Sequence, residues 1–266
     1  MMKKKVSIVM STYNDSGYIG KAIKSVLSQS YDNFEFIIID DSSQDNTEEI
    51  VKGFDDGRII YIKNEENKGL LFNLNKGINL AQGEYIARID SDDWWIDKEK
   101  LKKQVDFLDN NTDYALVGTW AKVYNEKVVE LFKITHDTDF EKIKQKILLK
   151  NCFVHSSVLF RKSVANECGN YNESQEYVED YALWLKMGKK HKLANIPEYS
   201  TGYLLNQEGV TQKNNLKQIR ANIILIKKYK KEYPNYILGV LKWRVKGFLV
   251  FLKLSRLINY LKISKR

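Results

Sequence analysis

The stretch that decides the fold is Gly83-Glu-Tyr-Ile-Ala-Arg-Ile-Asp-Ser-Asp-Asp93. Glu84 to Ile89 is a short run rich in apolar residues and reads as a strand. It ends abruptly in the carboxylates of Asp90, Asp92 and Asp93. Two upstream segments have the same form. Val6-Ser-Ile-Val-Met10 reads as a buried strand that runs into Ser11-Thr-Tyr-Asn14. Phe34 to Ile39 is a second, too β-branched for a helix, and it stops at Asp40-Asp41. Helical periodicity fills the gaps: Ile19 to Leu27, Thr47 to Phe54 with Ser43 or Asp45 as its cap, Leu70 to Ala81 after a short strand Ile59 to Ile62, and Lys98 to Leu108. Alternating strand and helix predict an α/β domain, a largely parallel sheet with helices on both faces.

Further along the order loosens. Tyr114 to Tyr124, Val128 to Ile134 and Ser156 to Phe160 read as strands, and Phe140 to Leu149 and Glu179 to Gly188 as helices. The expected organisation is one domain over 1–215, with a nucleotide-binding half (1–110) and an acceptor-binding half (111–215), followed by a helical tail over 216–266.

The chain has 266 residues, 43% hydrophobic and 29% charged, enough for a substantial core. Its net charge of +9 is unevenly spread. From Lys217 onward there are 14 Lys and Arg against the single acid Glu232, so the tail carries +13 and the rest −4. Such asymmetry points to an anionic surface, membrane or nucleic acid, as partner of the tail. No signal peptide and no apolar run of about 18 residues is visible, so no spanning helix is expected. Cys152 and Cys168 lack metal-ligand spacing and read as reduced thiols of a cytosolic protein.

In an open parallel sheet, ligands bind beyond the carboxyl ends of the strands. The clusters Ser11 to Asn14, Asp40 to Ser42 and Asp90 to Asp93 should therefore share one rim. Polar turns after strands are commonplace, but adjacent carboxylates repel unless a cation or a donor-rich ligand compensates. Hard divalent cations take carboxylate oxygens and leave positions open for phosphate. An Asp-x-Asp turn can put one carboxylate on such a metal and another on a sugar hydroxyl, while the metal neutralises a diphosphate leaving group.

Taken together, Val6 to Asn14, Phe36-Ile-Ile-Ile-Asp-Asp-Ser42, Asn67-Lys-Gly69, Gly83 to Asp93 and Val178-Glu-Asp-Tyr-Ala-Leu-Trp-Leu185 resemble family 2 glycosyltransferases of the GT-A fold, over roughly residues 4 to 211. The resemblance implies inverting, metal-dependent transfer of a hexosyl or N-acetylhexosaminyl group from a nucleotide sugar, a UDP-sugar in the usual case, to a saccharide or lipid-linked saccharide in cell-envelope polysaccharide synthesis. It implies that Thr12, Tyr13 and Asn14 line the nucleotide pocket and that Asp41 accepts a hydrogen bond from the base. Asn67 and Gly69 belong to the same donor site. Asp90, with Ser91, touches the ribose or donor sugar. Asp92 holds Mn²⁺ or Mg²⁺, with Asp93 sharing or replacing that role. Arg88 either reaches the nucleotide or pairs with a nearby acid. Asp180 is the general base, taking the acceptor hydroxyl's proton from the face opposite the leaving diphosphate; Glu179-Asp180 would also suit a helix N-terminus on charge alone.

His155 lies before a strand, where a structural role outweighs a ligand role. Trp184 reads as core, and the Trp94-Trp95 pair as more open to stacking on a sugar. Two positions depart from the family. Its late Tyr-Arg-x-His segment reads Tyr203-Leu-Leu-Asn206, and the Arg expected before Asn75-Lys-Gly77 is Leu74, with Lys76 as a substitute charge. The Gln-x-x-Arg-Trp motif of processive members is absent, which favours single additions. A nucleotidyltransferase is the rival enzyme, but Ser11 to Gly17 lacks a glycine-rich phosphate loop. A non-catalytic basic membrane-binding protein is the third reading, and the rim carboxylates argue against it.

In the tail, Ile219 to Lys230 and Tyr236 to Lys262 read as helices split by Pro234. Lys242, Lys246, Lys253 and Arg256 share one face, and Leu241, Val245, Phe248 and Leu252 another. A basic amphipathic helix with Trp243 and Phe251 fits peripheral contact with an anionic membrane, at the cytoplasmic face of the inner membrane. The alternative is a helix packed on the domain. No base-reading motif supports nucleic acid.

Overall fold

The computed structural model describes residues 5–206 and 215–252. Its centre is a parallel array built by the first third of the chain. Strand β1 (Val6–Thr12) pairs in parallel with β2 (Phe34–Asp40) on one side and β4 (Tyr85–Arg88) on the other, and β3 (Ile59–Lys63) extends β2. Every residue of β2 is buried, as expected of a strand covered on both faces. Along β1 the side chains alternate. Ile8 and Met10 join a layer with Ile19, Ile23 and Val26 of α1 (Ile19–Leu27) and Leu101, Val105 and Leu108 of α4 (Lys100–Asn110). Val9 faces the opposite layer, with Leu74 and Ile78 of α3 (Leu70–Leu80) and Trp184 of α7 (Glu179–Met187). Helix α3 approaches β1 so closely that a Cβ on Gly77 would lie 2.4 Å from Val9 Cγ1, which explains a glycine inside a helix.

The later strands make the sheet mixed. Strand β8 (Leu159–Arg161) runs antiparallel between β4 and β6 (Tyr114–Tyr124); β9 (Lys192–Leu204) runs parallel to β6, and the two-residue β5 (Trp94–Trp95) closes that edge. Strand β7 (Glu130–Ile134) forms a hairpin on β6. One sheet thus crosses both expected halves. The strand expected over Ser156 to Phe160 is instead a 3₁₀ turn, His155–Ser157, followed by β8. Serine hydroxyls compete for backbone partners there: Ser157 Oγ donates to Val154 O (2.7 Å) and accepts from Thr119 N (3.2 Å).

Helix α2 (Thr47–Lys52) follows β2. Helices α5 (Phe140–Lys146) and α6 (Lys162–Glu167) precede α7, and α8 (Asn215–Lys228) and α9 (Tyr236–Phe251) end the described chain. Helices α8 and α9 do not stand apart. Leu225, Ile226, Tyr229 and Tyr233 lie in the same core as Trp184 and Leu185, and Tyr233 Oη donates to Leu185 O at 2.8 Å. Lys253, Arg256, the helix expected beyond Leu252 and the boundary near Thr211 lie outside the described residues.

Candidate active site

The carboxyl ends of β1, β2 and β4 converge as their polar termini require. The loop after β1 is laced to the loop after β2: Asn14 N donates to Ser43 Oγ (2.9 Å), Gln44 N to Asn14 Oδ1 (2.8 Å) and Ser16 N to Asp45 Oδ2 (2.9 Å). Thr12 is buried, whereas Tyr13 projects with 48% of its surface exposed. Of the Asp40-Asp41 pair, Asp40 is structural, accepting from Tyr61 Oη (2.6 Å) and Ser43 N (2.7 Å). Asp41 accepts from Lys68 N, Gly69 N and Asn64 Nδ2 at 2.8, 2.8 and 2.9 Å, which pins the exposed Asn67 turn to the rim. Gly69 takes φ +84°, a conformation open to glycine. Burial pulls the Asp41 pKa upward, but these donors outweigh it and hold the carboxylate below its ordinary range. Lys76 Nζ donates to Asn64 Oδ1 (2.8 Å), so a cation does sit one residue behind Asp41.

Beyond β4, Asp90, Ser91 and Asp93 are each held by different partners, and Asp92 is not. Arg88 is 1% exposed; its guanidinium bonds the Asp90 carboxylate and the carbonyls of Val9 and Ile89, so it lies beneath the rim and pairs with an acid. Ser156 Oγ accepts from Asp90 N (3.0 Å) and donates to Asp90 Oδ2 (2.9 Å). Ser91 Oγ donates to Asp15. Asp93 is 1% exposed; its Oδ1 accepts from Leu204 N (2.9 Å) and its Oδ2 has no protein partner. Among the described residues nothing else bonds the Asp92 side chain, alone of the three carboxylates, and it stays partly open. Burial first, then the charges of Asp90 and Asp15, push its pKa up to about 7. Burial, Asp92 and Asp90 raise Asp93 further.

The Trp94-Trp95 pair is not open. Trp95 Nε1 donates to Ser156 O (2.9 Å) and the buried Lys100 Nζ lies 4.0 Å from its ring centroid; Lys21 Nζ covers Trp94 at 3.0 Å. On the other side Trp94 meets Gly202, where a Cβ would fall 2.4 Å from its ring. The strand pairing of β5 with β9 turns both indoles inward, so neither offers a face to a sugar.

Asp180 opens helix α7. Its Oδ2 accepts from Asn151 Nδ2 (2.7 Å) and its Oδ1 from Tyr181 N. Burial raises its pKa to about 6, and burial together with Asp180 raises Glu179 to about 8. The two acid clusters lie within electrostatic reach of one another: burial and the charges of Asp93, Asp92, Asp90 and Asp180 all raise the pKa of the Tyr203 phenol. The Tyr171 phenol similarly feels Arg88, Asp180, Glu179 and Asp90. His155 Nε2 lies 2.9 Å from Tyr171 Oη, and burial with Arg88 nearby lowers its pKa to about 3, leaving the ring neutral. Trp184 is fully buried against Phe153 and Phe160, as a core residue.

The model of glycosyl transferase family 2 matches residues 7–169. The chain belongs to that family. An uncharacterized glycosyltransferase of Methanocaldococcus jannaschii is 31% identical over 252 residues, 92% of this chain and 86% of the relative. The Escherichia coli UDP-Glc:alpha-D-GlcNAc-diphosphoundecaprenol beta-1,3-glucosyltransferase WfgD is 33% identical over 218 residues, covering 81% of this chain and 82% of its own. Among solved structures, Staphylococcus aureus TarS in complex with UDP-GlcNAc superposes with a TM-score of 0.73 at 18% identity, over 94% of this chain and 77% of TarS. The mannosyltransferase PcManGT of Pyrobaculum calidifontis, in complex with GDP-Man and Mn2+, gives 0.67 at 16%, over 94% and 70%. These likenesses give the fold, GT-A, and the chain is a glycosyltransferase.

Three residues of this glycosyltransferase's cavity escape sequence reasoning. Asp15 sits under Ser91, with its pKa raised by burial. Asn151 bonds Asp180, and Ser156 holds Asp90. Asp15 directly follows the strand-end cluster, a signal available in the sequence. Asn151 and Ser156 carry none, because their roles arise from contacts 29 and 66 residues away along the chain.

Proposed function

We propose that this glycosyltransferase moves a hexosyl or N-acetylhexosaminyl group, with inversion, from a UDP-sugar to a hydroxyl of a lipid-linked saccharide in cell-envelope polysaccharide synthesis. The observation that carries the reading is the division of acids between two electrostatically coupled clusters. Asp92 stays partly open beside the charges of Asp90 and Asp15, and Asp180, which feels the charge of Asp90, has its pKa raised to about 6 by burial. A base with a pKa near the working pH is the form that general-base catalysis favours. The relatives in Escherichia coli named for UDP-Glc and for a diphosphoundecaprenol-linked acceptor support the donor and acceptor classes.

Thr12, Tyr13 and Asn14 form one wall of the nucleotide pocket and Asp41 with the Asn67–Gly69 turn the other. Asp41 keeps one acceptor position on Oδ2 for a base N–H beyond the three donors it already has. Asp90, braced by Arg88 and Ser156, presents a fixed oxygen to the donor's ribose or sugar.

The donor set at the rim fits a hard divalent cation, Mn²⁺ or Mg²⁺. It is all oxygen, its carboxylates repel one another, and the buried Asp93 Oδ2 lacks a partner. Among the described residues no group of three or more His, Cys, Asp and Glu surrounds a common metal position. That matches a cation held by one or two carboxylates and by phosphate oxygens of the substrate. Asp92 would hold it, with Asp93 behind; when bound, it supplies charge neutralisation for the departing diphosphate. Asp180 takes the proton of the acceptor hydroxyl as that oxygen attacks the anomeric carbon. Calorimetry of UDP with and without Mn²⁺ tests the reading: no UDP affinity in either condition would refute it.

Helix α9 supports membrane contact. Its inner side packs on the core through Tyr236, Val240 and Trp243, and its outer side leaves Ile237, Leu241, Val245, Phe248 (62%) and Phe251 (71%) exposed. No helix of the described residues is long and apolar enough to cross a membrane. An apolar strip on the most basic part of the chain suits an anionic bilayer surface, where a lipid-linked acceptor resides. Phe248→Glu should abolish co-sedimentation with phosphatidylglycerol vesicles and leave UDP affinity intact; unchanged vesicle binding would remove this part of the proposal.

A further inference from the structure

We propose that Asn151 is a positioning residue for the base, a role that rests on Asp180 taking the acceptor proton. Asn151 lies between α5 and the His155–Ser157 turn, and its amide is oriented by two contacts. Oδ1 accepts from Phe153 N at 3.2 Å, which fixes which end of the amide is the donor. Nδ2 then donates to Asp180 Oδ2 at 2.7 Å. The segment that carries it is itself anchored, because Asn195 Nδ2 donates to the neighbouring Cys152 O at 3.2 Å and Phe153 is buried against Trp184.

The consequence is geometric and electrostatic. Asp180 Oδ1 is tied to its own helix by Tyr181 N, so Oδ2 is the oxygen less committed to α7. The Asn151 N–H occupies one side of that oxygen and leaves the other for an acceptor hydroxyl. An N–H donor also favours the ionised carboxylate without adding charge. The other groups facing Asp180 are Glu179 on its own helix, Asp90 beyond β4, and the phenols of Tyr171, Tyr181 and Tyr203. The acids among these disfavour ionisation. Asn151 and the helix amide are the donors that oppose them. A lysine in its place would lock the carboxylate as a poor base; an acid would keep it protonated. An amide holds the base ready and lowers its pKa less than a cation would. Asn151 exchanges no proton: the hydroxyl proton passes to Asp180 alone.

The test is Asn151→Asp. This near-isosteric change keeps an oxygen to accept from Phe153 N–H, so the loop retains its tie, while the donor to Asp180 becomes a carboxylate. The donor substrate is whichever of UDP-glucose, UDP-galactose and UDP-GlcNAc the wild-type protein turns over, read as UDP release. The acidic limb of kcat should move upward by about one pH unit or more, and kcat at pH 7 should fall about twofold for a one-unit shift and ~10-fold for two. UDP affinity by calorimetry should stay within about twofold, since a 0.4 kcal/mol change would already register. Asn151→Ala should move the limb in the same direction by less. A carbon-13 NMR titration of the Asp180 carboxyl, assigned by its loss in Asp180→Asn, reads the same shift without turnover. An unmoved limb and an unmoved carboxyl titration in both variants overturn the proposal. If Asp180→Asn keeps turnover, the base assignment itself fails. If Asp180→Asn is inactive and Asn151→Asp keeps the wild-type limb, Asn151 alone loses its role.

Discussion

The acid run after β4 and the acid pair opening α7 are built in opposite ways. In the run, Asp90 has an arginine and a serine, Ser91 an aspartate, and Asp93 a backbone N–H from β9, each from a different part of the chain. Only Asp92 is left without such a brace. In the pair, Asp180 has neutral donors alone, Asn151 and its own helix backbone, and burial does the rest. A charged brace outweighs burial and holds Asp90 below its ordinary range; burial outweighs the neutral donors and lifts Asp180 to about 6. In the proposed mechanism the same residue type is thereby divided into an anion for binding and a base for proton transfer, by environment alone.

The sharpest way to break this comparison is Asp180→Asn. Loss of the base should reduce kcat by about 10³-fold, within the usual range for a positioned proton acceptor, while UDP affinity is retained. Near-normal turnover would mean that the pair is only a helix N-terminus. Next in size is Asp92→Asn, for which transfer should fall ~10²-fold and Mn²⁺-dependent UDP affinity should fall with it. Asp93→Asn should cost less of that affinity, because Asp93 is committed to Leu204. The reverse ranking would move the metal from Asp92 to Asp93.

Arg88→Met probes the brace itself. It leaves Asp90 beside a buried apolar surface with no counter-ion. Removing one partner of a buried pair costs about 3–5 kcal/mol, and since Asp90 is itself a third exposed the lower end, ~3 kcal/mol, is expected in urea unfolding. A loss below ~1 kcal/mol would show the pair to be energetically idle.

The two clusters also differ in how far the sequence foretells them. Strands β1, β2 and β4 are apolar runs that stop at acids, so both their existence and the rim they share follow from the pattern. Strand β6 likewise begins and ends where its periodicity says, Tyr114 to Tyr124. Strand β9 left no such trace. Pro197 falls where its register against β6 slips, between Ile196 opposite Thr119 and Tyr199 opposite Trp120, and Ser200-Thr201-Gly202 interrupts any alternation. With β9 invisible, its grip on Asp93 and its covering of Trp94 were invisible too, which is why the tryptophans read as open. Asp180 is recognisable through its segment Val178 to Leu185, but its pKa is set by burial, which raises it, and by Asn151, which lowers it, neither encoded locally.

The smallest effect separates burial from charge as the source of that basicity. As the proposed base, Asp180 would act when deprotonated, and its pKa is raised from the ordinary carboxylate range to about 6, chiefly by burial. At saturating donor and Mn²⁺, kcat should therefore be level above pH 7 and fall tenfold per unit as pH drops through about 6, as one proton titrates. An ordinary exposed aspartate would place that limb near pH 4. Screening sharpens the point. If the raised value came mainly from repulsion by Glu179 and Asp90, replacing Glu179 with Gln would bring the limb down close to the ordinary range. Because burial dominates, Glu179→Gln should lower it by less than about one unit. A fall of two units in that variant would mean that the α7 pair owes its basicity to neighbouring charge, as the β4 run does, and the contrast between the two clusters would collapse.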